Sequence, residues 1–152
     1  AAETNAEAAS ALLASTGLPS ADRARVLVPF TYWAGTPREE IQHDNDARAL
    51  LPTSDEGFVS QLMAARAWTR LDDLEEVTAP TLVLHGHDDL LVPPSNARQL
   101  AGAISGARLE LLPHCSHQVF TDQEARAAEL VLAFTGDVDQ SARPVHRKTV
   151  RR

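Results

Sequence analysis

Residues 79–117 read APTLVLHGHDDLLVPPSNARQLAGAISGARLELLPHCSH, a succession of strand, turn, helix, strand and loop. Thr81 to His85 is apolar through Leu84 and does not alternate with polar residues. That is the pattern of a strand covered on both faces in a parallel sheet. Pro94 and Ser95 open a helix with Ala97, Leu100, Ala101 and Ile104 on one side, and Gly106 closes it. Leu109 to Leu112 makes the next strand. A strand, a crossover helix and a second parallel strand form one right-handed unit. Side chains just past the carboxyl ends of such strands converge above the sheet. Asp89 lies just past the first strand and His117 just past the second.

Downstream, Thr121-x-x-Glu124 has the form of a capping box and predicts a last helix that turns Ala128, Val131, Leu132 and Phe134 toward the sheet. Upstream, to about Leu74, the chain reads as helices cut by prolines. Thr4-x-x-Glu7, Thr36-x-x-Glu39 and Thr53-x-x-Glu56 each predict a helix start, Gly17 a helix stop, and Pro37 a first helical position. Pro29 and Pro52 mark expected boundaries. The first helix is expected to bury Ala6, Ala9, Leu12 and Leu13. Phe30, Tyr32, Trp33, Phe58, Leu62, Met63 and Trp68 concentrate the large apolar side chains, with core packing as the default for the set. A lid over a pocket also wants an aromatic underside, and Trp33 and Trp68 are the candidates for facing a substrate.

A chain of 152 residues, 43% hydrophobic and 23% charged, fits one globular domain. Its apolar runs fall far short of the ~20 residues a membrane-spanning helix needs. A net charge of -7 argues against a nucleic-acid surface, which needs clustered cations to displace counterions. The exception is the end of the chain, where Arg143, His146, Arg147, Lys148, Arg151 and Arg152 read as a solvated, frayed tail after Gly136. One cysteine, Cys115, excludes an internal disulfide and fits a cytoplasmic setting. The opening AAETNAEAAS has neither an initiating Met nor the basic-then-apolar pattern of a signal peptide, and reads as a start within a longer protein or after processing, the first being favoured.

An imidazole and a carboxylate on adjacent strand tips are what a nucleophile-assisted hydrolysis needs: a base for the nucleophile's proton, and an anion that holds the base in one tautomer. PTLVLHG, Gly86-x-x-Asp89, Val92-Pro93, GARLELLP and Ser116-His117 together resemble the α/β-hydrolase superfamily, over roughly Leu71 to Phe134. The resemblance implies an α/β fold: the C-terminal part of an α/β-hydrolase parallel sheet, about two strands with flanking helices, preceded by a helical cap. It implies residues 1–74 as cap or lid, 75–136 as core segment and 137–152 as tail. It also implies Asp89 as triad acid and His117 as triad base. Ser116 stands where the family more often has Gly.

The Gly-x-Ser-x-Gly elbow and oxyanion-hole segment that precede the cap in the family have no counterpart here, nor does a Cys or Asp version of the elbow. The expectation is therefore a partial hydrolase for a carboxylic ester, lactone or similar small acyl substrate. Its expected partner is the missing N-terminal half of the fold or another chain, with no organic cofactor and no membrane. Without oxyanion donors, worth about 3 kcal/mol of barrier, turnover by this chain alone is expected to be slight. Asp88 is a rival for the acid role, though the Gly-to-Asp spacing favours Asp89. Ser116 and Cys115 read as structural. Two other readings stay open: zinc hydrolysis through His85-x-His87-x-Asp89, and a non-catalytic interaction module derived from a hydrolase.

Overall fold

The computed structural model describes residues 4–51, 53–68 and 71–142. Four helices come first: α1 (Ala6–Ala14), α2 (Ser20–Thr31), α3 (Arg38–Ala49) and α4 (Asp55–Ala67). A short 3-10 turn over Asp72–Glu76 leads into β1 (Leu82–Gly86), α5 (Pro94–Ala103) and β2 (Arg108–Leu112). A one-turn helix α6 (Val119–Asp122) and the long α7 (Glu124–Ala142) follow. Among the described residues no helix is long and apolar enough to cross a membrane.

β1 and β2 pair in parallel, Leu82 opposite Arg108 through Gly86 opposite Leu112. α5 spans the crossover and packs on both strands, with Ala97 and Ile104 buried as the helical spacing predicts. The core proper gathers Leu112, Cys115, Ala127 and Leu130, with Leu84 and Val119 packed against it. Leu84 reaches that core while Val83 and His85, by the two-residue alternation of a strand, project to the other face. Among the described residues the sheet stops at two strands. Leu82 to His85 are accordingly half-buried rather than covered on both faces, because each strand keeps one unpaired edge.

The upstream helix starts are placed to within a residue, but their chemistry differs from the sequence reading. Asn5, not Thr4, caps α1: its Oδ1 accepts from the amides of Glu7 at 2.9 Å and Ala8 at 3.2 Å. Ser54, not Thr53, caps α4 by accepting from the Gly57 amide at 3.1 Å. Pro37 is itself the cap position of α3, and Thr36 instead donates to Asp122 Oδ1 at 2.7 Å. In each of these three Thr-x-x-Glu stretches an Asn, Pro or Ser lies one residue nearer the helix, where a short oxygen or a fixed φ is better placed. Downstream, Thr121 lies within α6 and donates to Asp44 Oδ2 at 3.3 Å rather than opening α7.

Pro29 lies inside α2 rather than at a boundary. Pro52 and the basic tail residues from Arg143 onward fall outside the described residues. α7 runs past Gly136 to Ala142, into the segment read as tail. Buried faces are also shifted. α1 buries Ala8 and leaves Leu13 exposed, α7 buries Ala127 and Leu130 while Leu132 is exposed, and Met63 on α4 is exposed. Gly17 does adopt the left-handed conformation, φ 77°, in the turn after α1.

A buried cation ties the helical region together. Arg23 of α2 bonds Asp55 at 2.7 Å, reaches the carbonyls of Leu18 and Ser15, and lies 4.1 Å over the Phe58 ring. α1, α2 and α4 therefore share a single guanidinium whose five donors suit that many partners.

Candidate active site

The acid turn is built at the end of β1. His87 N–H donates to Leu112 O at 2.8 Å and Asp88 N–H to Cys115 O at 2.9 Å, so the loop after β2 is laced directly to the turn after β1. Gly86 permits that approach. A Cβ there would collide with the carbonyl oxygens of Ser116 and Cys115, so the glycine of Gly86-x-x-Asp89 is a requirement of close backbone passage.

Asp89 turns inward, its side chain 1% exposed. Oδ1 accepts from Leu91 N–H at 2.8 Å and Val92 N–H at 2.9 Å, which fixes the carboxylate by its own loop. Oδ2 lies 2.9 Å from His117 Nδ1. A carboxylate oxygen only accepts, so Nδ1 carries the proton and Nε2 carries the lone pair. The ring is 39% exposed, open enough for Nε2 to receive a proton.

The histidine loop is held from both sides. Gln118 N–H donates to Thr31 O at 3.0 Å, Ser116 Oγ to Phe30 O at 3.3 Å, and Ser116 N–H to Asp122 Oδ2 at 2.7 Å. Gln123 Nε2 donates to His114 O at 3.1 Å, beside a backbone strained to φ 54° at His114. Cys115 is fully buried in the core, and burial, followed by the carboxylates of Asp122, Asp89 and Asp88, pushes its thiol up to about 12. Such a thiol is not a nucleophile at neutral pH. The Ser116 hydroxyl is already engaged with Phe30.

Trp33 and Trp68 part company. Trp33 lines a cavity of about 350 Å³ with Pro29, Ala34, Asp88, Leu90 and Ser116, and its ring packs 5.0 Å from that of His114. Trp68 follows α4, is half-exposed, and lines neither of the two cavities described. The larger cavity, about 820 Å³, lies among α2, α3 and α4 and reaches Gln118, next to His117. Tyr32 stands in its wall, its hydroxyl donating to Asp44 Oδ2 at 2.6 Å; burial and then the Asp44 carboxylate raise its pKa well above the ordinary value.

The zinc arrangement is not assembled. His85 Nε2 donates to Val92 O at 2.9 Å and stands 3.4 Å from Asp89, whereas His87 turns out to the exposed Asp88 at 3.1 Å. β1 ends at Gly86, so the alternation that would put residues 85 and 87 on one face is broken by the turn before it reaches His87. Among the described residues no three His, Cys, Asp or Glu side chains are grouped to hold a metal. Asp88, engaged with His87, is not the partner of His117. Asp122, Asp44 and Arg48 are the residues around the histidine loop that sequence reasoning missed. No local motif distinguishes them from other surface acids and bases, since each takes at least one partner from a segment about 70 to 90 positions away.

The family model described as serine aminopeptidase, S33 (Hydrolase_4) matches residues 23–124. A poly(3-hydroxyalkanoate) depolymerase of Ectopseudomonas oleovorans is 32% identical over 119 residues, covering 76% of this chain and 41% of that protein. The human monoacylglycerol lipase ABHD6 is 25% identical over 114 residues, 75% of this chain and 32% of the lipase. The enol-lactonase from Burkholderia xenovorans LB400 superposes with a TM-score of 0.71 at 24% identity, over 84% of this chain and 49% of that structure. The chain thus spans less than half the length of these curated relatives. Because that family model covers residues 23–124, more than half of the sequence, this chain belongs to the α/β-hydrolase family, within the serine aminopeptidase S33 group.

Proposed function

We propose that the chain supplies the acid and base of a nucleophile–His–Asp triad in a hydrolase for carboxylic esters, lactones or similar small acyl substrates. The observation that carries the reading is the 2.9 Å contact from a buried Asp89 to His117 Nδ1 across two adjacent parallel strands. Residues 1–74 serve as cap and 75–136 as core segment. The nucleophile and oxyanion donors come from the remaining half of the fold, consistent with the share of each relative that the chain spans. No organic cofactor takes part.

In this mechanism His117 Nε2 takes the proton of the nucleophile's hydroxyl or thiol as that atom attacks the substrate carbonyl. The imidazolium then stands against Asp89, whose charge is already fixed by the Leu91 and Val92 amides and needs no reorganisation. Collapse of the tetrahedral intermediate expels the alcohol, which leaves with the proton from Nε2. Water then gives a proton to Nε2 as its oxygen attacks the acyl carbon; collapse of this second tetrahedral intermediate breaks the bond to the nucleophile, which takes the proton back from Nε2, and frees the carboxylic acid. In this reading Trp33 meets the substrate, supported by its place in the wall of the smaller cavity beside Ser116.

The test is to join this chain to a nucleophile-bearing half and assay short acyl esters. The unjoined chain is expected to show little turnover, the joined protein to turn over, and His117→Ala in the joined protein to lose about 10⁴-fold or more with its melting temperature little changed. Turnover surviving His117→Ala would sink the reading.

A further inference from the structure

The carboxylate of Asp122 collects donors from separate segments. Oδ2 accepts from Ser116 N–H at 2.7 Å and from Trp33 N–H at 3.0 Å, and Oδ1 accepts from Thr36 Oγ1 at 2.7 Å. Ser116 precedes His117, while Trp33 and Thr36 lie on the connection between α2 and α3. A single oxygen therefore joins the backbone of the histidine loop to the backbone of the residue whose side chain walls the smaller cavity. Ser116 is 2% exposed, so water is a poor substitute for the acceptor its amide would lose. We infer that Asp122 is a positioning residue that holds His117 against Asp89 and ties the base to the α2–α3 connection at Trp33.

The loop from Cys115 to Gln118 has to place an imidazole on a carboxylate anchored to a different strand. Asp89 is fixed by its own loop and does not follow a wandering histidine. The base end must therefore be fixed separately. The Ser116 and Gln118 amides flank the imidazole by one residue each; Gln118 is held by the neutral Thr31 carbonyl, whereas Ser116 has the charged acceptor, which makes its restraint the stronger of the two. Asn at position 122 keeps the size but has no charge and only one acceptor oxygen. Its NH₂ then faces either Thr36 or the two amides, and whichever bonds survive are the weaker, neutral kind.

This inference rests on the reading of His117 as base, but its test avoids turnover. In the ¹⁵N-labelled full chain, kept dilute to limit self-association, the His117 Nδ1–H proton is followed by NMR, with the Leu91 and Val92 amides as reporters of an intact acid loop. Asp122→Asn is expected to make the Nδ1–H exchange with water about tenfold faster or more, the scale of one lost hydrogen bond, while Leu91 and Val92 keep their shifts. An unchanged Nδ1–H in Asp122→Asn would overturn it, as would a change that Leu91 and Val92 share equally in a folded variant. If the Asn variant does not fold, Asp122→Glu decides: a displaced Nδ1–H with unmoved Leu91 and Val92 supports the role, and an unmoved one defeats it. Failure here leaves the Asp89 and His117 assignment standing, and an inactive joined enzyme leaves this result standing.

Discussion

Asp89 holds two structures with two oxygens: Oδ1 closes the loop through Leu91 and Val92, and Oδ2 accepts from His117 Nδ1. Asp89→Asn leaves one acceptor for both duties, so turnover of the joined enzyme is expected to fall about 10⁴-fold. The melting temperature should drop by only a few degrees if the amide oxygen keeps the loop; equal activity in calorimetrically intact protein would refute the division of labour. Cys115 gives a pH prediction at the same scale. Its folded pKa, about 12, lies above the ordinary 9.0, so the folded chain keeps a proton that the unfolded chain gives up. The stabilisation is complete below about pH 9 and is lost as pH rises toward 12. Urea midpoints measured from about pH 8 to 11 should therefore fall more steeply in the native sequence than in Cys115→Ala. Parallel slopes would show that the thiol is not the group responsible.

Among the elements, the turn joining β1 to the histidine loop is the most constrained. Gly86→Ala pushes a methyl into the Ser116 and Cys115 carbonyls, and neither backbone can yield without moving His117. A loss of about 1–3 kcal/mol is expected in denaturant unfolding, with the His117 Nδ1–H signal displaced; a variant as stable as the parent would contradict the packing. The helix caps make a sharper comparison. Ser54→Ala should cost about 1 kcal/mol, whereas Thr53→Ala, whose hydroxyl takes no part in the cap, should stay within about 0.5 kcal/mol. Thermal melts of the two variants decide which residue starts α4. Both hydroxyls were visible in the sequence; the choice between neighbours depends on which one has extended backbone dihedrals when the chain turns into the helix, and Thr-x-x-Glu spacing does not encode that.

For the molecule as a whole, the imbalance lies in what is uncovered. A parallel strand normally sits inside a sheet, yet β1 and β2 have only each other among the described residues. Leu50 and Leu51 are 80% and 86% exposed, and Phe120 and Leu132 are also largely exposed. A front half of the fold would pair the free strand edge and cover part of this apolar surface. The isolated chain is therefore expected to bind a hydrophobic dye and to self-associate. Joining the front half should suppress the dye signal and raise the melting temperature. A monodisperse isolated chain that melts cooperatively at the same temperature as the joined protein would count against the partial-fold reading and favour an independent interaction module.

Periodicity and punctuation determined the order strand, helix, strand, helix and the parallel pairing of β1 with β2, because each depends on residues within a few positions of one another or on a topological rule for crossovers, while the choice of Asp89 and His117 also drew on the resemblance to the α/β-hydrolases. The strand reading from Thr81 and the helix from Pro94 agree with β1 and α5 to within a residue. Burial faces of α1 and α7 did not follow, since Ala8, Ala127 and Leu130 are chosen by what packs beside them. The tertiary structure alone showed that His87 turns out to Asp88 while His85 bonds Val92 O beside Asp89. It alone brought Trp33 and Thr36 onto Asp122 beside Ser116, since where donors about 85 to 90 positions away arrive is set by the fold and not by local spacing.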